Sequence, residues 1–564
     1  MLAEHWGLLI LLFLPLAAGI VVAWLGPTRG SAIRLISVAT SIVVLALALG
    51  MAFRFMALER PRGADARLAP AAPSFRPEFV PGASPSNPHQ TTWHVLSLGP
   101  GTVQFYLGLD GLNLWLIVLT AVLMLPSVLI SWNHISERVN EFYAWLMILQ
   151  TCMFGIFLAF DIIIFYVFFE LSLVPLFFLI GIWGGPERRH AARKFFMYTL
   201  AGSLLTFLGV MGIVLACHQQ TGTMTFSIPR LVELVHGQLM LEDEATRAYW
   251  QTAQFWVFLA LTAGFAVKVP LVPFHTWLPL AHVEAPTAGS VDLAGVLLKV
   301  GAYGFLRLAI PLAPDVSLAL GLPMVTLLAT AGIVYGALCA YSQDDVKKMI
   351  AYSSVSHLGL CMLGMFSLTM AGLSGSIMQM INHGLSTGAL FLLIGMLYDR
   401  YHTRKISSFS GMATRMPLFA VLLVFICLSS VGMPGLNGFI GEYLCLAGIF
   451  SHEWTREGKP YLAIVACTGV VLGAWYLFTM LKRVLFGPVQ EPDTHSPTGD
   501  LNGRELALIA PIAALCLLIG VHPQPILRTT EPDVRVVSDI AAAARQRATL
   551  PVGVATNQKL ETRN

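Results

Sequence analysis

Two consecutive apolar runs, 254–273 and 287–310, are each long enough to cross a bilayer, and each carries a lysine near its middle, Lys268 and Lys299. A lysine at bilayer depth costs roughly 2.5–3.5 kcal/mol on insertion scales. Such a residue faces a protein interior or a wet cavity, and by default it marks a functional site. Pro270 and Pro273 follow Lys268 closely. Each proline removes a backbone donor and clashes with the preceding turn, so the helix is expected to break beside the charge. Irregular backbone at that depth survives only where it is buried in protein or lines water. Transporters build midplane ion sites from a charge beside a broken span. A plain proline kink with a snorkelling lysine would give the same local pattern.

Of 564 residues, 56% are hydrophobic and only 12% are charged, against about a quarter charged in soluble domains. The fold class expected is therefore an all-α polytopic membrane protein. About 20 apolar residues cross a bilayer, and on that ruler the chain holds about 14 spans. They lie near 7–25, 32–56, 111–131, 142–160, 161–184, 195–217, 254–273, 287–310, 316–341, 348–366, 371–398, 414–450, 461–486 and 504–521. Net charge is only +3 and no basic tract suits a nucleic acid. Eight cysteines are scattered without a CxxC pair or metal-ligand spacing, so neither a metal nor a redox centre is expected. The first run carries Glu4 and no basic lead-in, which reads as a retained span and not a cleaved signal. Residues 57–110, rich in proline and arginine, read as an irregular external loop, and the tail after 522 as polar with a short helix at 538–548. Basic residues such as Arg188, Arg189, Arg193, Lys347, Lys348 and Arg404 collect in the loops after odd-numbered spans. That asymmetry puts those loops in the cytoplasm and both termini on the other side.

Span 12 is too long for one straight helix, and its middle holds Gly432, Pro434, Gly435 and Gly438, then Glu442. Breaks in spans 7 and 12, five spans apart, predict two inverted five-helix repeats, spans 4–8 and 9–13. The chain then divides into 1–131 with its loop at 57–110, a first repeat at 142–310, a second at 316–486, and a last span with tail at 487–564.

Glu170 lies near the middle of span 5 and is the natural partner for Lys268. A Lys–Glu pair of variable strength switches the proton affinity of both members; a static buried ion pair that fixes packing is the alternative. His357 and His383, on consecutive spans, suit a proton relay, although a buried histidine is also commonly a satisfied core residue. His275, seven residues after Lys268, either extends the path or anchors the break. Asp292 reads as a water-exposed carboxylate near the cytoplasmic mouth or as a partner for another cation, and Arg307 as a snorkelling residue at the end of span 8. Glu170, Lys268, Lys299, His357 and Glu442 place one ionisable group on each of spans 5, 7, 8, 10 and 12. Packed side by side, these spans would align a polar row along which protons hop.

The segments FFELSLVPLFFLIGIWGG, VKVPLVPFHTWLPLAHVEAPTAGSVDLAGVLLKVGAYGFLR, MIAYSSVSHLG, INHGLSTGALFLLIGMLYDR and PGLNGFIGEYL resemble the antiporter-like proton-pumping subunits of respiratory complex I, above all their M-type branch. The resemblance runs from about 130 to 480 and departs from the pattern at Leu280 and Asp292. It implies that Glu170 and Lys268 are a switching pair and Lys299 the central relay. It also implies that His275, His357 and His383 lie along the path, and that Glu442 is the exit group where L- and N-type subunits usually have lysine. It further implies a membrane-arm subunit of a proton-translocating NADH–quinone oxidoreductase, with no cofactor of its own. NADH, FMN, iron–sulfur clusters and quinone would sit in partner subunits, with L-, N- and K-type membrane neighbours, in a bacterial-type inner membrane. A subunit of a cation/proton (Na+/H+) antiporter or of a membrane-bound hydrogenase complex is the rival reading, and an inert membrane scaffold the plainest one. Co-purifying nucleotide- and flavin-binding partners would separate the first two.

Overall fold

Backbone polar groups in hydrocarbon must bond within their own segment, so apolar runs of this length fold as helices. The computed structural model describes residues 2–58, 60, 73–241, 243–492 and 499–549. In chain order its main elements begin with α1 (Leu2–Trp24), α2 (Gly30–Met56), the strands β1 (His94–Leu98) and β2 (Gly101–Gln104), α3 (Leu114–His134) and α4 (Val139–Leu158). They continue with α5 (Ile162–Leu171), α6 (Leu173–Trp183), α7 (Arg188–Thr221), α8 (Ile228–Leu239), α9 (Glu244–Lys268) and α10 (Trp277–Glu284). The second half holds α11 (Thr287–Leu312), α12 (Pro314–Tyr341), α13 (Val346–Phe366), α14 (Met370–Tyr401), α15 (Pro417–Val431) and α16 (Asn437–Ser451). It closes with α17 (Pro460–Leu485), α18 (Gly503–Val521) and α19 (Gln524–Thr549).

Among the described residues, twelve helical segments are long and apolar enough to cross a membrane. The two expected spans outside that set are the interrupted ones. α9 stops at Lys268, the chain runs irregularly through 269–276, and α10 resumes. α15 and α16 are separated at 432–436, where Gly432 and Gly435 take φ of 79° and 91°. That left-handed backbone is open to glycine at little steric cost. Both breaks therefore fall where proline and glycine placed them.

Small residues set how closely the helices approach. A Cβ added to Gly264 on α9 would lie 1.8 Å from Thr206 Oγ1 and 2.5 Å from the Gly202 carbonyl, both on α7. Close approach of this kind drives helix packing where lipid and core are equally apolar. At the centre stand α11 and α14, whose most apolar stretches are entirely buried. Neighbouring helices enclose those stretches, and they carry Lys299 and His383.

Three expectations need correction. The segment 57–110 is not irregular throughout: β1 and β2 pair antiparallel, and Gln104 N–H donates to Asp161 Oδ2 at 2.9 Å, tying the hairpin to the start of α5. The fold is thus helical with one small hairpin; residues 59 and 61–72 of that segment lie outside the described ones. The tail holds not a short helix but the 26-residue α19, which crosses one end of the bundle. It is held there by Trp115 Nε1 donating to Thr529 Oγ1 at 2.7 Å, Arg60–Asp533 at 2.6 Å and Arg547–Asp315 at 2.6 Å.

Arg307 does not snorkel. It is fully buried, with Nη1 at 2.6 Å from Asp110 Oδ2 and Nη2 at 2.7 Å from Oδ1. Its Nε donates to Tyr303 OH at 3.0 Å, and the rings of Phe75 and Phe160 flank it at 4.4 and 4.7 Å. A bidentate carboxylate and aromatic faces replace the water that a snorkelling side chain seeks. Removing one member of such a pair strands a buried charge, at about 3–5 kcal/mol, whereas apolar replacement of both is often neutral. Arg307→Met alone is expected to lower the thermal unfolding midpoint of the purified protein sharply, and adding Asp110→Leu to recover most of the loss.

Candidate functional site

The site is built on the two enclosed helices and the two breaks. On α11 the segment Leu293–Leu297 is π-helical, with Leu298 N–H reaching back to Leu293 O. Single π turns interrupt the regular i→i−4 ladder and recur at functional sites. Here the carbonyl of Ala294 accepts from Lys299 Nζ at 2.5 Å. The same Nζ stands 2.7 Å from His383 Nδ1 on α14. The His383 ring centroid is 5.7 Å from that of His357 on α13. His357 Nδ1 lies 3.4 Å from Glu442 Oε1 on α16, and its Nε2 lies 3.5 Å from Tyr476 OH on α17. Four of the expected groups thus form one row, Lys299–His383–His357–Glu442.

The contacts constrain the protons. A lysine ammonium has donors only. While Lys299 is charged, His383 Nδ1 must accept, and the imidazole proton sits on Nε2, which meets no partner among the described residues. A neutral amine reverses the roles. The 2.7 Å contact therefore lets a proton cross in either direction.

The second break supports the far end of the row. Glu442 lies against Gly432, where an added Cβ would come within 2.5 Å of Oε2. Asn382 Nδ2 donates to the Asn437 carbonyl at 2.6 Å, Asn437 Nδ2 donates back to the Asn382 carbonyl at 3.4 Å, and Ser429 Oγ donates to Asn437 Oδ1. These side chains meet backbone groups near the interruption, as buried polar groups require.

The first break differs. Trp277 Nε1 donates to Val267 O at 2.9 Å, meeting one freed carbonyl. Lys268 is 1% exposed, yet no described residue accepts a hydrogen bond from its Nζ. Glu170 Oε2 is likewise buried without a partner. The expected carboxylate–ammonium contact is not made. The ammonium instead stands 4.5 Å above the ring of Phe169, whose face attracts a cation.

Two other expected groups lie off the row. His275 packs its ring against Tyr335 at 5.2 Å and Tyr352 at 6.4 Å. Asp292 is neither water-exposed nor paired with a cation: it is 2% exposed, accepts from Ser127 Oγ at 3.0 Å on Oδ1, and its Oδ2 has no described partner. The sequence reading missed His282, which is fully buried, stacks flat on Phe391 at 4.7 Å, and has no described partner for either ring nitrogen. It also took Lys347 for a loop charge. Lys347 is buried, donates to Ala285 O at 2.5 Å, and lines a cavity of about 250 Å³ with Glu284, Thr287, Tyr398 and Arg404. The repeat of histidine seven residues after His275 was the available signal for His282. Among the described residues, no group of three or more His, Cys, Asp or Glu converges to hold a metal.

Comparison with known proteins places the chain. The family described as NADH:quinone oxidoreductase/Mrp antiporter, TM, matches residues 159–473. Subunit M of NADH-quinone oxidoreductase from Rhodobacter capsulatus is 41% identical over 435 residues, 77% of this chain and 81% of that protein. Chain 4 of NADH-ubiquinone oxidoreductase from Prototheca wickerhamii is 42% identical over 426 residues, 75% of this chain and 76% of its own length. Among solved structures, a chain of respiratory complex I from Thermus thermophilus with bound NADH superposes with a TM-score of 0.75 at 30% identity, covering 95% of this chain and 99% of that one.

The close approach of α11 to α9 beside Lys268 is testable by itself. A Cβ added to Gly301 would lie 2.7 Å from Val269 Cγ2 and 2.9 Å from Lys268 Cβ. Helix propensity favours alanine by about 0.5–1 kcal/mol, but overpacking costs about 1–3 kcal/mol. Gly301→Ala is therefore expected to lower the melting temperature, whereas Gly50→Ala, which meets nothing within 4 Å, is expected not to.

Proposed function

This chain belongs to the NADH:quinone oxidoreductase/Mrp antiporter family of membrane subunits, and from that premise we propose that its buried ionisable row carries protons across the membrane. It is an integral, multi-pass membrane subunit of NADH-quinone oxidoreductase, of the subunit M type, among other membrane-arm subunits. What supports the proton path is the row Lys299–His383–His357–Glu442 on α11, α14, α13 and α16, with contacts of 2.7 and 3.4 Å at its ends and the two imidazole rings 5.7 Å apart between them. Each member exchanges protons with its neighbour, and the imidazoles do so near neutral pH. Glu170 and Lys268 form the input end. Quinone reduction in partner subunits alters their coupling, Lys299 receives the proton, and Glu442 releases it. NADH, FMN, iron–sulfur clusters and quinone belong to those partners, and this chain carries no redox centre. Its membrane neighbours are of L, N and K type, in a bacterial-type inner membrane.

In this reading the chain crosses the membrane fourteen times, with both termini on the non-cytoplasmic side and two inverted repeats of five helices. One paired device favours the repeats. Asp161 caps α5, accepting from Ile163 and Ile164 N–H at 2.9 and 3.2 Å, and its backbone bridges to Ser227 in the connection between spans 6 and 7. Asp345 caps α13, accepting from Lys347 and Lys348 N–H at 2.9 and 3.1 Å, and bridges to Lys405 between spans 11 and 12. The same cap and the same bridge recur five spans apart, as inverted units require.

The test is proton pumping by the purified complex in proteoliposomes. A positioned proton-transfer group contributes about 10²–10⁴-fold, so Lys268→Ala, Glu170→Ala and His383→Leu are each expected to cut coupled pumping by about 10²-fold while the complex still assembles. Wild-type turnover and pumping in assembled Lys268→Ala or His383→Leu complexes would refute the path.

A further inference from the structure

Lys268 presents an unusual arrangement for a buried cation. Its Nζ has no hydrogen-bond acceptor among the described residues, although a buried Glu170 oxygen nearby is equally without a donor. The group that meets the ammonium is Phe169, immediately before Glu170 in the chain, with its ring centroid 4.5 Å away. The ring is itself held. Phe169 is fully buried, stacks on Phe165 at 5.7 Å, and meets Phe265 edge-on at 6.0 Å and 78°. Phe265 lies three residues before Lys268 and continues edge-on to Phe305 of α11 at 5.6 Å. Gly304 and Gly301 leave room for this arrangement: a Cβ on Gly304 would strike the Phe265 ring at 2.5 Å, and one on Gly301 would press on Lys268. An aromatic face attracts a cation through its quadrupole, more strongly once water is excluded, and it neither gives nor takes a proton.

We propose that Phe169 is a positioning residue of the translocation path, whose ring face holds the proton-loaded Lys268 ammonium in a resting place distinct from the Glu170 carboxylate. The hold is selective for the loaded lysine, because a neutral amine is not drawn to the ring. Phe169 and Glu170 are then two alternative docks on adjacent positions of α5. The ring keeps the charge without neutralising it, and the carboxylate remains free to receive it when coupling demands. The proposal rests on the reading of Lys268 as a proton carrier.

Progressive fluorination of one ring withdraws charge from its face and leaves its shape nearly unchanged. In the intact complex, Phe169 is replaced with mono-, di- and trifluorophenylalanine, and pumping per NADH oxidised is measured in proteoliposomes. Pumping is expected to fall stepwise with fluorine number, by about tenfold at the trifluorinated ring. Phe169→Tyr is expected to retain pumping and Phe169→Leu to lose it. Should Phe169→Leu fail to assemble, the fluorinated series, which spares packing, decides alone. A flat series in assembled complexes, with Lys268→Ala still abolishing pumping, overturns the role of Phe169 and leaves the path standing. Full pumping by Lys268→Ala overturns both.

Discussion

A positive charge enclosed by protein at bilayer depth must be met by something, and beside the sealed Arg307 the interior is arranged around two buried lysines. Lys299 sits on a helix whose apolar stretch is wholly buried, so it cannot reach water along its own side chain. A π turn offers it the Ala294 carbonyl and the facing helix offers it His383. Lys268 has the opposite solution. It ends a broken helix and rests on an aromatic face, without a hydrogen bond from the described protein. The difference between these partners is chemical. An imidazole can take the proton and a benzene ring cannot. One lysine faces a group that can take its proton and the other a group that cannot.

The two interruptions serve the same end by different means. At the first, an indole N–H covers a freed carbonyl and the lysine is left beside the gap. At the second, Ser429 bonds Asn437 across the gap, paired asparagines tie α14 to α16 beside it, and the carboxylate of Glu442 lies over Gly432. Irregular backbone inside a membrane protein is tolerated where protein groups satisfy it. Both places meet that condition, and both put an ionisable side chain at the discontinuity.

Much of this was legible from the chain alone because the signals were local. Pro270, Pro273, Gly432 and Pro434 announce the breaks, and an ionisable residue inside an apolar run announces itself by its insertion cost. The illegible parts were relations between distant residues. Asp110, 197 positions before Arg307, turned an apparent snorkelling residue into a sealed ion pair. Phe169 and Glu170 are neighbours in sequence but point differently, and no spacing rule tells which one a lysine from another helix will meet. Lys347 looked like a loop charge because burial by neighbouring helices leaves no mark on its own segment. The hairpin strands are four and five residues long, too short for alternation to stand out. α19 is amphipathic and polar on average, so a search for apolar runs passes over it.

That last helix has a consequence for how the molecule is made. Its clamps, Arg60–Asp533 and Arg547–Asp315, join it to the connection after α2 and to the first turn of α12. The described membrane-crossing segments that it fastens, α2, α3 and α12, all leave the ribosome before α19 does. The bundle must therefore be inserted and sorted while one of its ends is still unfastened. That end is tightened only once this polar segment arrives, after the spans it clamps are already in place.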